Sequence, residues 1–82
     1  MKYDIQFKPR AVKDIEKLSS RKQTKIIKDI EVMGDDLAGD VKRLTNFTPE
    51  YRLRVGNYRV LFEIENKSII VYRVRHRREV YR

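Results

Sequence analysis

Cysteine and tryptophan are absent from the 82 residues, histidine occurs once, and there are only three glycines and two prolines. Without cysteine there is no disulfide to staple the fold, no thiol nucleophile and no Cys-ligated zinc. No apolar run approaches the ~20 residues that span a bilayer, and the first residues do not read as a signal peptide, so no membrane partner is expected. The absence of disulfide signals fits a reducing, cytoplasmic compartment. Acidic side chains are the minority, with 12 Asp+Glu against 20 Lys+Arg, a net charge of +8 and a pI near 10.0. That balance points to a polyanion or an acidic protein as partner.

What is present is enough for one small globular domain spanning residues 1–82. Hydrophobic residues make up 40% of the chain, which disfavours disorder. The core must be thin, because a chain of this length buries only ~60–65% of the surface its unfolded form exposes. The charge is uneven. Residues 1–50 carry 11 basic and 9 acidic side chains, net +2, and residues 51–82 carry 9 and 3, net +6. All but one of the latter bases are arginine: Arg52, Arg54, Arg59, Arg73, Arg75, Arg77, Arg78 and Arg82. A solubilising surface is served equally well by lysine. Forked contact with phosphate and stacking on bases favour arginine.

Tyr3, Ile5 and Phe7 alternate with polar residues and predict a strand. Pro9 suits the first position of a helix, and Ala11, Val12, Ile15 and Leu18 continue it over 9–18. Ser19 and Ser20 offer an N-cap for a second helix over 21–34, with Ile26, Ile27, Ile30 and Met33 as its stripe and Gly34 as its stop. Residues 35–40 read as a loop, 41–45 as a short strand or extended link, and Thr48-Pro49-Glu50 as a turn. Strand patterns then fill 51–55, 58–64 and 69–74, joined by Gly56-Asn57 and by residues 65–68. The expected fold is α+β, in the order β-α-α-β-β-β. A twisted antiparallel sheet carries a two-helix hairpin on one face.

A two-residue loop at Gly56-Asn57 pairs Arg54 with Arg59 and Arg52 with Leu61. Opposed residues share a face, so Arg52, Arg54 and Arg59 gather on one side, and Tyr51, Leu53, Val55, Tyr58, Val60, Phe62 and Ile64 pack on the helices. An opposed arginine pair destabilises a sheet by ~0.2–1 kcal/mol, and a polyanionic ligand would use it. A regular third strand would bring Ile70, Tyr72, Val74 and His76 to the face of Arg59. A cationic neighbourhood there favours the neutral, proton-accepting imidazole. Tyr81 either stacks on a base or anchors the tail.

Tyr3 to Leu18, Tyr51-Arg52-Leu53-Arg54-Val55-Gly56-Asn57-Tyr58-Arg59-Val60, and His76-Arg77-Arg78-Glu79-Val80-Tyr81 together resemble the RelE/ParE toxin superfamily over essentially the whole chain. The resemblance implies the toxin of a type II toxin–antitoxin pair with a RelE-like domain. Its partners would be a cognate antitoxin protein and the ribosome with its messenger RNA, and no cofactor is implied. It also implies catalytic roles for Arg54, Arg59, Arg77 and Tyr81, to which the strand reading adds His76. Arg52, Arg75 and Arg78 would bind substrate. Either Arg77 or Arg75 fills the place of the C-terminal basic residue that protonates the leaving group. Where relatives carry a lysine as general base this chain has arginine, which does not give up its proton. Either electrostatic assistance suffices or His76 takes the proton.

The implied reaction is metal-free attack of a ribose 2′-hydroxyl on the adjacent phosphate, because no Asp/Glu cluster with metal spacing accompanies the arginines. Two alternatives stay open: a ParE-like inhibitor of DNA gyrase, and a non-catalytic protein that binds RNA or an antitoxin.

Overall fold

The alternation at the N-terminus forms strand β1, Asp4–Phe7, and the proline after it opens helix α1, Pro9–Glu16. These coordinates are a computed structural model that describes residues 1–80. Helix α1 stops short of the expected Leu18, whose N–H turns back to the Ile15 carbonyl at 3.0 Å. Helix α2 runs Ser20–Met33, and the Ser19 hydroxyl accepts from the Lys22 N–H at 3.4 Å, as its N-cap position requires. The link after the loop is a short strand, β2, Val41–Arg43. Strands β3, Tyr51–Val55, β4, Tyr58–Glu65, and β5, Ser68–His76, follow, and Arg77–Val80 closes the described chain as one helical turn, α3. No helix of the described residues is long and apolar enough to cross a membrane.

The five strands lie in the order β1-β5-β4-β3-β2. The pairs β2–β3, β3–β4 and β4–β5 are antiparallel. The expectation of a wholly antiparallel sheet needs correcting at one edge, where β1 pairs with β5 in parallel, Asp4 beside Ser68 and Phe7 beside Val71. A parallel neighbour requires a crossover, and here the chain between β1 and β5 includes both long helices. Both hairpin loops begin with a left-handed residue, Gly56 and Asn66, each at φ 57°, as tight two-residue loops demand.

Helix residues Ala11, Ile15, Ile26, Ile30 and Met33 pack against Leu53, Val55, Val60, Phe62, Ile69, Val71 and Val74 to form the core. Phe62 is fully enclosed and stacks on Tyr51 at 5.5 Å. The β3–β4 register is the one the hairpin predicts, with Arg54 opposite Arg59 and Arg52 opposite Leu61.

Strand β5 departs from regular alternation. Val60 faces Val74 and Leu61 faces Arg73, yet Phe62 faces Val71, so Tyr72 is an extra residue in a bulge. Burial explains it. Val71 and Val74 are three residues apart, and a regular strand would send them to opposite faces. The bulge lets both enter the core, at 0% and 4% exposure. It also takes Arg73 and Arg75 out of the core-facing row, where a regular register would have buried them.

Candidate nucleic-acid interface

The bulge decides which cations share a face. Arg54, Arg59 and Arg75 stand opposite one another on β3, β4 and β5 as a row across three strands. One step down the sheet comes a second row, Arg52, Leu61 and Arg73. Three guanidinium groups in one cross-strand row repel one another, and no packing argument asks for them.

Each head group is held differently. Arg54 is exposed, and its side chain makes no hydrogen bond or ion pair among the described residues, while its backbone N–H donates to the Asp40 carbonyl at 3.0 Å. Arg59 is buried, at 8% exposure, and its Nη1 donates to the carbonyls of Gly56 at 3.1 Å and Tyr58 at 3.0 Å. Those bonds draw it toward the β3–β4 loop and preset its orientation. Arg75 donates to the Glu79 carboxylate at 3.0 Å, an exposed ion pair four residues on. Arg52 turns toward the sheet edge and donates to the carbonyl and the carboxylate of Asp40, at 2.8 and 3.2 Å. Of the arginines on this face, Arg54 is the one whose head group has no partner among the described residues, and Arg59 the one most rigidly placed.

Arg73 is a structural cation. Its Nε and Nη2 form a fork onto both carboxylate oxygens of Asp14 at 2.8 and 3.1 Å. Asp14 also accepts the Val74 N–H at 3.0 Å, which has no strand beside it because β1 ends opposite Val71. The carboxylate therefore pins α1 to the bulged part of β5. Burial by itself raises the Asp14 pKa. The Arg73 hydrogen bond, the Val74 N–H and the charges of Arg73 and Arg75 outweigh it and hold the group below the usual carboxylate range. The same bond raises the Arg73 pKa against its own desolvation. Nothing in the sequence pattern singled out Asp14, because a carboxylate on a polar helix face has no marker for a partner 59 residues away.

His76 requires a correction. The bulge places it opposite Tyr58, on the helix face, with the two rings edge to face at 5.4 Å. It does not share the face of Arg59. Its Nδ1 accepts the Arg78 N–H at 3.2 Å, so that nitrogen is occupied by the turn into α3. Arg77 and Arg78 are exposed on α3, and the Arg77 N–H donates to the Asn57 carbonyl at 2.7 Å. Tyr81 lies outside the described residues. Among the described residues no group of three or more His, Asp or Glu side chains is placed to hold a metal ion.

This sheet geometry has counterparts among known proteins. The family described as the ParE toxin of the type II toxin–antitoxin system, parDE, matches residues 5–81. The chain belongs to that family. Within the RelE/ParE toxin superfamily it is 43% identical over 47 residues to toxin RelE3 of Methanocaldococcus jannaschii, covering 57% of this chain and 53% of that protein. It thus spans about half the length of the curated relative it matches. A chain of the RelB–RelE antitoxin–toxin complex from Methanococcus jannaschii superposes with a TM-score of 0.76 at 31% identity, over 93% of this chain and 94% of that one. A chain of the toxin–antitoxin complex RelBE2 from Mycobacterium tuberculosis gives 0.80 at 22% identity, over 93% and 99%, which shows the shared fold. The family match covers all three strands of the arginine row.

Proposed function

We propose that this member of the RelE/ParE toxin superfamily is a RelE-type toxin that cuts messenger RNA on the ribosome, acting in the cytoplasm and restrained by a cognate antitoxin protein. The observation that carries the reading is the row Arg54–Arg59–Arg75 on the face away from the helices. An RNA phosphate laid across it meets one uncommitted guanidinium, one preset by backbone carbonyls and one held by an exposed carboxylate. An exposed ion pair is worth little, so Arg75 exchanges Glu79 for phosphate at low cost.

In the reaction the ribose 2′-oxygen attacks the neighbouring phosphorus and the bond to the 5′-oxygen breaks. The products are a 2′,3′-cyclic phosphate and a 5′-hydroxyl. One proton leaves the 2′-hydroxyl and one reaches the departing oxygen. The arginines stabilise the charge that grows on the phosphoryl oxygens, the kind of term that supplies ~2.7–4 kcal/mol per well-placed donor. Arg75 rather than Arg77 stands beside Arg59, and we assign to it the place of the C-terminal basic residue. No imidazole shares the face, so electrostatic stabilisation carries the chemistry on the protein's side. The ribosome then serves to align the 2′-oxygen with phosphorus, which would account for a dependence on the assembly.

The test is primer extension on a message translated in vitro. Codon-phased cuts are expected with the parent chain and none with Arg54→Ala, an exposed variant that leaves the fold intact. Uncut message with the parent chain overturns the reading. Arg59→Ala is the less clean probe, because it also removes two hydrogen bonds to backbone carbonyls. The family model names a ParE toxin, and the ParE-like alternative drawn from the sequence gives a second reading, inhibition of DNA gyrase. A supercoiling assay beside the translation assay separates the two.

A further inference from the structure

On the helix side of the sheet, away from the arginine row, a hollow of about 310 Å³ opens between the first turns of α2 and the β3–β4 loop. Arg21, Lys22 and Lys25 of α2 line one wall, and Tyr58, His76 and Asn57 line the other. The buried side chains of Ile26 and Val55 contribute to it. No carboxylate lines it among the described residues: Asp29 holds Lys25 at 3.0 Å from outside. Lys22 Nζ lies 5.4 Å from the Tyr58 ring centre and 3.5 Å from its hydroxyl. Because His76 Nδ1 accepts the Arg78 N–H, its other ring nitrogen is the one left to bond a ligand.

We propose that this hollow binds one nucleotide unit, its phosphate on Arg21, Lys22 and Lys25 and its base against Tyr58 and His76. The chemistry of the walls carries the assignment. Cations gathered at one side suit a phosphate. Two rings meeting edge to face beside an amide suit a flat heterocycle with polar edges. A size of some hundreds of Å³ over an apolar floor is typical of a small-molecule pocket. An acidic peptide is the less fitting occupant. The Tyr58 and His76 rings offer a stacking wall that a base uses and the carboxylate side chains of an acidic peptide do not. The site does not rest on the ribonuclease reading, since none of the arginines assigned there lines it.

The test is titration of the isotopically labelled full-length chain with adenosine monophosphate and, separately, with a short oligouridylate, followed by amide and histidine NMR shifts. The expected result is saturable movement of Gly56, Asn57 and His76, retained in Arg54→Ala. It should be weakened about tenfold or more in Arg21→Glu/Lys25→Glu, which removes two charge-assisted contacts on an exposed helix face. Binding of the monophosphate identifies a free nucleotide, and binding of the oligonucleotide alone identifies a nucleotide within RNA. Shifts confined to Arg54, Arg59 and Arg75 overturn the proposal. So does an oligoglutamate peptide that moves Gly56, Asn57 and His76 equally well, or silence with both nucleic-acid probes.

Discussion

Removing Asp14 should loosen the molecule at the point where the arginine row is set. Its carboxylate makes three hydrogen bonds, two to the Arg73 fork and one to the Val74 N–H. Both partners are largely enclosed, with side-chain exposures of 13% for Asp14 and 21% for Arg73. Breaking a fully buried pair from one side costs about 3–5 kcal/mol. Residual solvent access to Arg73 reduces the expected loss for Asp14→Ala to about 2–3 kcal/mol. Asp14→Asn keeps an acceptor for the Val74 N–H and loses the charge, so about half that loss is expected. For a chain of this size 1 kcal/mol corresponds to about 4–8 °C in Tm. The alanine variant should therefore melt on the order of 10 °C or more below the parent.

The pH dependence has a defined sign. The folded-state pKa of Asp14 lies below its unfolded value. The stabilisation is therefore complete above the unfolded carboxylate pKa of ~3.9 and fades as pH falls through the lower folded value. Thermal melts of parent, Asn and Ala variants at pH 7 and pH 3 measure both effects. The gap between parent and Asn should narrow in acid. An alanine variant that melts with the parent at pH 7, or a gap that widens in acid, refutes the clamp.

Arg54→Ala removes a cation that opposes Arg59 and has no partner among the described residues. Chemical denaturation should show stability unchanged or raised by up to ~1 kcal/mol. Phe62→Ala empties the centre of the core, where the ring is fully buried against Tyr51. It should cost about 3–5 kcal/mol in the same measurement, a large share of the ~4–12 kcal/mol that a chain of this length commands. Gly56→Ala adds a methyl into open space at a φ of +57°. With no clash to relieve, only the left-handed backbone is penalised, by about 1–2 kcal/mol in thermal melts.

Much of the scaffold is written in local pattern. Pro9, the Ser19 cap, the apolar stripe of α2 and the Gly56-Asn57 turn each act on their near neighbours. From them followed both helices, the β3–β4 pairing and the shared face of Arg52, Arg54 and Arg59. The family resemblance carried by Tyr51–Val60 and the C-terminal run extended over the whole chain, and the family match agrees. Less of the face was legible. Period-two alternation carried past Tyr72 predicts His76 beside Arg59, and the folded chain puts Arg75 there instead. The walls of the helix-side hollow were equally hidden, because Arg21, Lys22 and Lys25 are three among many helix cations until the β3–β4 loop comes to lie opposite them.

The sequence by itself determined the elements, the sign of the charge and its concentration in the last three strands, since each follows from residues within a few positions of one another. Only the tertiary structure decided which strands are neighbours and where β5 breaks step. The parallel β1–β5 edge joins segments with no local signal for each other. The bulge at Tyr72 exists because Val71 and Val74 both gain by entering one core, and that gain is visible only once the core is assembled.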